Sequence, residues 1–186
     1  MMILKGQWAF VSTQKCATNT MYKVLPGYRL GPLHHMPKKR HAPLHWTIVR
    51  NPYDRAVSLY GSTALRPHDK YQVKRQCGNP NAKPSFESFV ENCLLIPQQK
   101  WKHRRRQTHP YLFKNQVDWI KSGMVDKVVH LENLYQEVLD LTGLDLVLPK
   151  LNDSPRESWQ EYMTPSVIEM LNIWAGEDFR WGYDKL

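Results

Sequence analysis

A chain of 186 residues is long enough for one compact domain with a true core and short for two. Hydrophobic residues make up 41% and charged residues 23%, which excludes a disordered polyelectrolyte. The 26 Lys and Arg outnumber the 17 Asp and Glu, a formal +9 that calls for an anionic partner: nucleic acid, an acidic glycan or a nucleotide with several phosphates.

Gln7 to Val11 (QWAFV) reads as a short buried strand. The polar run Ser12 to Thr20 follows, and then Met21, Tyr22, Val24 and Leu25 have helical spacing up to Pro26-Gly27. Residues 26–43 are rich in Pro, Gly, His and Lys and read as an irregular loop. Leu44 to Val49 (LHWTIV) is a second strand, ended by Arg50 and broken by Asn51-Pro52. Proline suits the first position of the helix that continues through Ala56, Val57, Leu59 and Tyr60. Residues 66–84 form a long loop. Ser85 is a good N-cap for a helix through Phe86, Phe89, Val90 and Leu94, with Glu87 in its first turn. Tyr111 to Ile120 looks helical and is closed by Gly123. Val125 to Leu131 is a third strand, and Glu132 to Leu141 a helix ending at Gly143. Glu157 to Tyr162 and Pro165 to Trp174 are the last two helices.

Strands alternating with helices predict an α/β fold: a P-loop-like three-layer sandwich, with a small, mostly parallel central sheet flanked by helices, formed by residues 1–186 as one domain. Ligands of such sheets bind at the carboxyl ends of the strands, where both polar turns lie. Cys16, Cys77 and Cys93 are odd in number and irregularly spaced, which argues against a disulfide framework. No CxxC pair suggests a zinc site. The first residues hold too short an apolar run for a signal peptide, and no stretch approaches the roughly 20 apolar residues of a membrane span. The expectation is a soluble, cytoplasmic protein.

The strand, polar turn and helix at residues 8–25 have the layout of a phosphate-binding loop. Backbone N–H groups and the dipole at the helix start attract an anion, and Lys15 adds a full charge. Thr18, Asn19 and Thr20 add hydroxyl or amide donors. There is no Walker A pattern, which counts against an ATPase or ordinary kinase. A lysine beside an ordinary Thr/Asn helix cap is the bland alternative. The segment Thr47 to Tyr60 (TIVRNPYDRAVSLY) is more specific. Arg50 closes the strand and Ser58 stands about two helical turns later, so a guanidinium fork and a hydroxyl can hold one phosphate.

With these residues the sequence resembles the PAPS-dependent sulfotransferases, and within them the carbohydrate sulfotransferase branch most closely. VRNPYDRAVSLY is similar to that family's 3'-phosphate motif, and QKCATNT to its 5'-phosphosulfate loop, usually Pro-Lys-Thr-Ala/Gly-Thr/Ser-Thr-Ser. Gln14 stands in place of the proline, and Cys16 and Asn19 replace the commoner Thr and Ser. The resemblance implies Lys15 on the transferring sulfuryl group, Cys16, Ala17, Thr18, Asn19 and Thr20 as the backbone cradle, and Arg50 and Ser58 as the 3'-phosphate clamp. KVVHLENL (127–134), LPKLNDS (148–154) and the Asp-Phe…Gly-Tyr segment at 177–183 are weaker echoes.

Sulfuryl transfer, like phosphoryl transfer, rests on in-line positioning and charge stabilisation. Lys15 is the natural stabiliser of the leaving phosphate, and no metal is expected. His34, His35, His41 and His45 are candidates for the base that takes the acceptor proton, with His35 and His34 favoured. Glu132 is a lesser candidate that more naturally caps its own helix. The basic run Lys102 to Arg106 suits an anionic acceptor such as a glycan, donor phosphates, or merely a solvated face. Trp101, Tyr111, Trp119 and Trp159 suit a sugar, adenine or the core. The expected partners are thus PAPS, leaving as PAP, and an acceptor hydroxyl or amine. The rival readings are a P-loop-type kinase of a small substrate and a basic nucleic-acid-binding module, though no specific nucleic-acid motif is present.

Overall fold

The computed structural model describes residues 2–4, 6–29, 39–65, 73, 77, 82–95, 113–120, 123–149 and 157–186. The chain gathers into two compact units, one of Met1–Arg50 with Gln116–Asp153, the other of Asn51–Asn115 with Ser154–Leu186.

The first unit is built on a five-stranded sheet of β1 (Met2–Leu4), β2 (Trp8–Phe10), β3 (Tyr28–Arg29), β4 (Leu44–Val49) and β5 (Lys127–His130), in spatial order β3-β1-β2-β4-β5. β2, β4 and β5 are parallel, with Phe10 opposite Trp46, and Val49 opposite His130. These are the three strands expected from the sequence. β1 pairs antiparallel with both β2 and β3, an edge that the sequence reading placed partly in the 26–43 loop. Pairings of two or three residues are too short to leave a period-2 signal.

β2 is buried along its whole length, as a strand covered on both faces must be. Trp8 and Phe10 point to one face with Trp46, Ile48 and Val129, under Met21 and Tyr22 of α1 (Thr18–Val24) and Leu134 and Val138 of a later helix, Leu134–Thr142. Phe10 and Trp46 meet at 4.8 Å between ring centroids. Ala9 and Val11 point to the other face, with Ala42 and Val125. Parallel strands need crossovers, and α1 lies in the one joining β2 to β4. The carboxyl ends of all three parallel strands therefore lie side by side.

The second unit carries α2 (Pro52–Thr63). Asn51 caps it, its side-chain oxygen accepting from the N–H of Tyr53 at 3.0 Å and of Asp54 at 3.4 Å, and Pro52 fills the first position. Its Tyr53, Ala56, Val57, Leu59 and Tyr60 pack with Phe86, Phe89, Leu171 and Trp174. α3 (Phe86–Phe89) starts at the expected cap: Ser85 Oγ accepts from the N–H of Ser88. It runs on into a π-helical stretch, Val90–Leu95.

α4 (Gln116–Ile120) belongs to the first unit and starts later than the helix expected from Tyr111, residues 113–115 being turn and irregular chain. In the same unit α5 (Leu134–Thr142) follows a 3₁₀ turn, Leu131–Asn133, and ends at Gly143, whose φ of +71° suits glycine. Glu132 sits exposed in that turn, and the cap position of α5 is Asn133, whose side chain makes no bond to the helix start. In the second unit residues 159–162 form a 3₁₀ turn where a helix was expected, and α6 (Pro165–Trp174) has the expected bounds.

Candidate active site

The loop between β2 and α1 stands at the carboxyl end of β2 and is tied down from several sides. Thr13 Oγ1 donates to the carbonyl of Ile48 at 2.5 Å, and Thr47 Oγ1 donates back to that of Val11 at 2.7 Å. Thr18 Oγ1 donates to the carbonyl of Thr13 at 2.6 Å. The Tyr22 hydroxyl donates to Ser12 Oγ at 3.4 Å, and burial pushes that phenol above its ordinary pKa. Ser12, Thr13 and Gln14 are all buried, so this is a braced turn and not a solvated one.

Within it, Lys15 has φ +64° and Ala17 φ +51°, both left-handed and both carrying a β-carbon. Such backbone is uncommon outside glycine and clusters at functional sites. Left-handed residues alternating along a loop turn successive N–H groups towards one side, the geometry of an anion-binding nest. Ala17 is also the N-cap of α1 and makes no side-chain bond to the helix start. A Ser or Asp there would turn an acceptor onto the N–H groups; alanine does not.

Arg50 closes β4 beside this loop, and its Nη1 donates to the carbonyl of Lys15 at 3.1 Å. The fully buried Gln116 joins the same group. Its Oε1 accepts from the backbone N–H of Arg50 at 2.7 Å and from the Cys16 thiol at 3.3 Å, while its Nε2 donates to the Arg50 carbonyl at 2.8 Å. One amide side chain thus holds both Arg50 and the turn after Lys15. Sequence reasoning missed Gln116: a glutamine in the middle of the expected helix from Tyr111 to Ile120 reads as solvent-facing, and nothing local marks it as buried.

The structure therefore brings together Lys15, Cys16, Ala17, Thr18 and Arg50. Cys16 is buried with its thiol turned inward, so its share in any cradle is its backbone. The Thr18 hydroxyl, expected as a ligand donor, has its only proton on Thr13. Asn19 is exposed and Thr20 buried. Ser58 lies half-buried on the second turn of α2, within the second unit.

His34 and His35 lie outside the described residues, as does the basic run 102–106. His45 is described and is a poor base. It is fully buried, its Nε2 accepts from the N–H of His41 at 3.1 Å, and its Nδ1 lies 3.0 Å from the Met124 carbonyl, to which it donates in that tautomer. Burial holds its pKa below 6.5. Its role is structural, with Asp126 accepting its backbone N–H at 2.7 Å and the Arg40 guanidinium at 2.5 and 2.9 Å. His130, within the KVVHLENL segment, stands at the carboxyl end of β5, and its Nδ1 lies 3.1 Å from Glu137 Oε1. Of the aromatic candidates, Trp159 stacks on Tyr53 at 5.6 Å in the second unit. Trp101, Tyr111 and the side chain of Trp119 are outside the described residues, as is most of 148–154. Among the described residues no group of His, Cys, Asp and Glu could hold a metal, and no helix is long and apolar enough to cross a membrane.

Ligands of α/β folds bind at the carboxyl ends of the strands, and here a left-handed loop carrying Lys15 stands at one such end and Arg50 at the next. The profile of the Sulfotransferase family matches residues 1–169, through both units, and the chain belongs to that family: it is a PAPS-dependent sulfotransferase. No curated protein and no solved structure is significantly similar to it.

Proposed function

We propose that the chain binds PAPS with its 5'-phosphosulfate in the loop Lys15 to Thr20 and its 3'-phosphate on Arg50 and Ser58, and directs the sulfuryl group to a hydroxyl or amine of a carbohydrate, with residues 1–186 acting as one domain. The observation that carries the reading is the bonding of Arg50 to the Lys15 carbonyl, with Gln116 holding Arg50 and Cys16 together. Two cationic residues are thereby kept at neighbouring strand ends. The donor set suits a polyanion: one ammonium, one guanidinium and a left-handed backbone turn, with no carboxylate among them. Ser58 is assigned from the RNPYDRAVS motif.

PAPS, when bound, supplies an activated sulfuryl group on a phosphate leaving group. Lys15 sets a positive charge where the bridging oxygen gains negative charge, which favours the transition state over the ground state. Arg50 and Ser58 anchor the far end of the nucleotide, so that binding energy there fixes alignment at the reacting end. His35 or His34 takes the acceptor proton. The carbohydrate acceptor rests on the likeness of 148–154 and 177–183 to the carbohydrate branch, and the protein's +9 charge suits an acidic glycan.

Calorimetry with PAP, PAPS and ATP tests the donor, and radiolabelled PAPS offered with glycans, phenols and peptides tests the acceptor. PAP and PAPS should bind alike and ATP with magnesium far more weakly. Preference for ATP would favour a kinase. Binding of generic DNA with steep salt dependence and no effect of PAP would favour a nucleic-acid module.

A further inference from the structure

Two of the three cysteines meet in the second unit, far in sequence from the lysine loop. Cys93 lies in the π-helical stretch and is fully buried. Cys77 is half-buried, its backbone N–H bonded to the Val73 carbonyl at 3.0 Å and its thiol directed to the Ser88 carbonyl at 3.6 Å. The two sulfurs are 3.8 Å apart. A disulfide needs about 2 Å between them, so the sulfurs must approach by somewhat under 2 Å to bond. Cys93 belongs to the core of the second unit, which also holds Phe86, Phe89 and Tyr60, and Cys77 packs against that core.

We propose that Cys77 and Cys93 form a reversible disulfide site. Their burial sets the order of events. The half-buried Cys77 is the thiol that an oxidant meets, and the fully buried Cys93 resolves the product. With a low-molecular-weight disulfide such as glutathione disulfide, the Cys77 thiolate attacks one sulfur, and one glutathione leaves as a thiolate. Cys93, deprotonated in turn, attacks the Cys77 sulfur and expels the second glutathione. Two protein thiols are oxidised, one glutathione disulfide is reduced to two glutathiones, and the two protons pass to the departing thiolates. The bond encloses the 15 residues between the two positions and links the chain at residue 77 to the π-helical stretch. Cys16 takes no part, since its thiol is buried against Gln116.

The full chain, reduced and then equilibrated in glutathione buffers from reducing to oxidising, is quenched in acid, alkylated and mapped without reduction. The expected result is a fall from three titratable thiols to one, with a Cys77–Cys93 peptide pair two hydrogens lighter than its reduced parts and with Cys16 alkylated. Dithiothreitol should restore all three. Cys77→Ser and Cys93→Ala should each leave both remaining thiols unlinked at every ratio. Three titratable thiols at the most oxidising ratio, a bond involving Cys16, or a bond only between chains would overturn the proposal.

Discussion

At Lys15 and Ala17 the chain adopts left-handed backbone that costs a residue with a β-carbon about 1 kcal/mol. Ala17→Gly removes that cost, so the variant should unfold at higher urea concentration, by about 0.5–1 kcal/mol, as measured by circular dichroism. If Lys15 acts on the leaving group as proposed, Lys15→Ala should lower kcat by about a hundredfold or more while PAP binding stays within about threefold. Arg50→Ala should instead weaken PAP by about 10–100-fold in calorimetry, the loss expected when a charge-assisted bond to a phosphate goes. Equal losses of kcat and PAP binding in both variants would count against the division of roles. Gln116→Ala leaves a buried N–H and carbonyl of Arg50 without that partner. It should cost about 1–3 kcal/mol of stability and loosen Arg50 and the turn after Lys15 together.

Among the elements, α2 is the one whose sequence serves two ends. Its half-buried face carries Ser58, while Arg55 points into the core of the second unit. There its Nη2 donates to the Lys114 carbonyl at 2.5 Å, Nη1 lies 3.9 Å from Asp178 Oδ2, and its guanidinium stands 5.4 Å from the Trp174 ring centroid. Arg55 and Asp178 are both fully buried. Removing one partner of such a pair strands a charge. Asp178→Ala should therefore destabilise the chain by about 3–5 kcal/mol in urea titrations, while the double variant Arg55→Met with Asp178→Leu should recover most of it. The pair fastens α2 to the C-terminal turn Asp178–Trp181, whose Phe179 also meets Tyr53 at 5.1 Å.

For the whole molecule, two acid-sensitive groups act in one direction. In the unfolded chain His45 takes up its proton near 6.5; burial in the fold delays this to lower pH. The unfolded state then binds more protons, and stability falls as pH drops below 6.5. Arg40 and the His45 N–H hold the Asp126 carboxyl at about 2, below its ordinary 3.8. Its contribution is complete above 3.8 and is lost as pH falls towards 2. The pair is partly exposed and screened, so that second loss is the smaller of the two. Melting temperature against pH should be level above 7, decline below 6.5 and decline further below about 4, with His45→Gln making the first decline shallower. The +9 charge adds a salt effect: PAP affinity should fall as ionic strength rises, since screening shortens the reach of every cation at the strand ends.

The sequence by itself determined the three parallel strands, the turn with Lys15, the strand end at Arg50 and the start of α2. Each is written locally, in an apolar run, a polar interruption or a helix-starting proline, and local signals survive without knowledge of the fold. Only the tertiary structure decided that Cys16 and Thr18 turn their side chains inward, that His45 is a core residue and that Gln116 binds Arg50. Those outcomes depend on which distant backbone groups a side chain meets: Gln116 reaches Cys16 across 100 positions and Arg50 across 66. A buried polar side chain is chosen by the partner that satisfies it, and that partner is supplied by the packing of the sheet, not by the neighbouring residues in the chain.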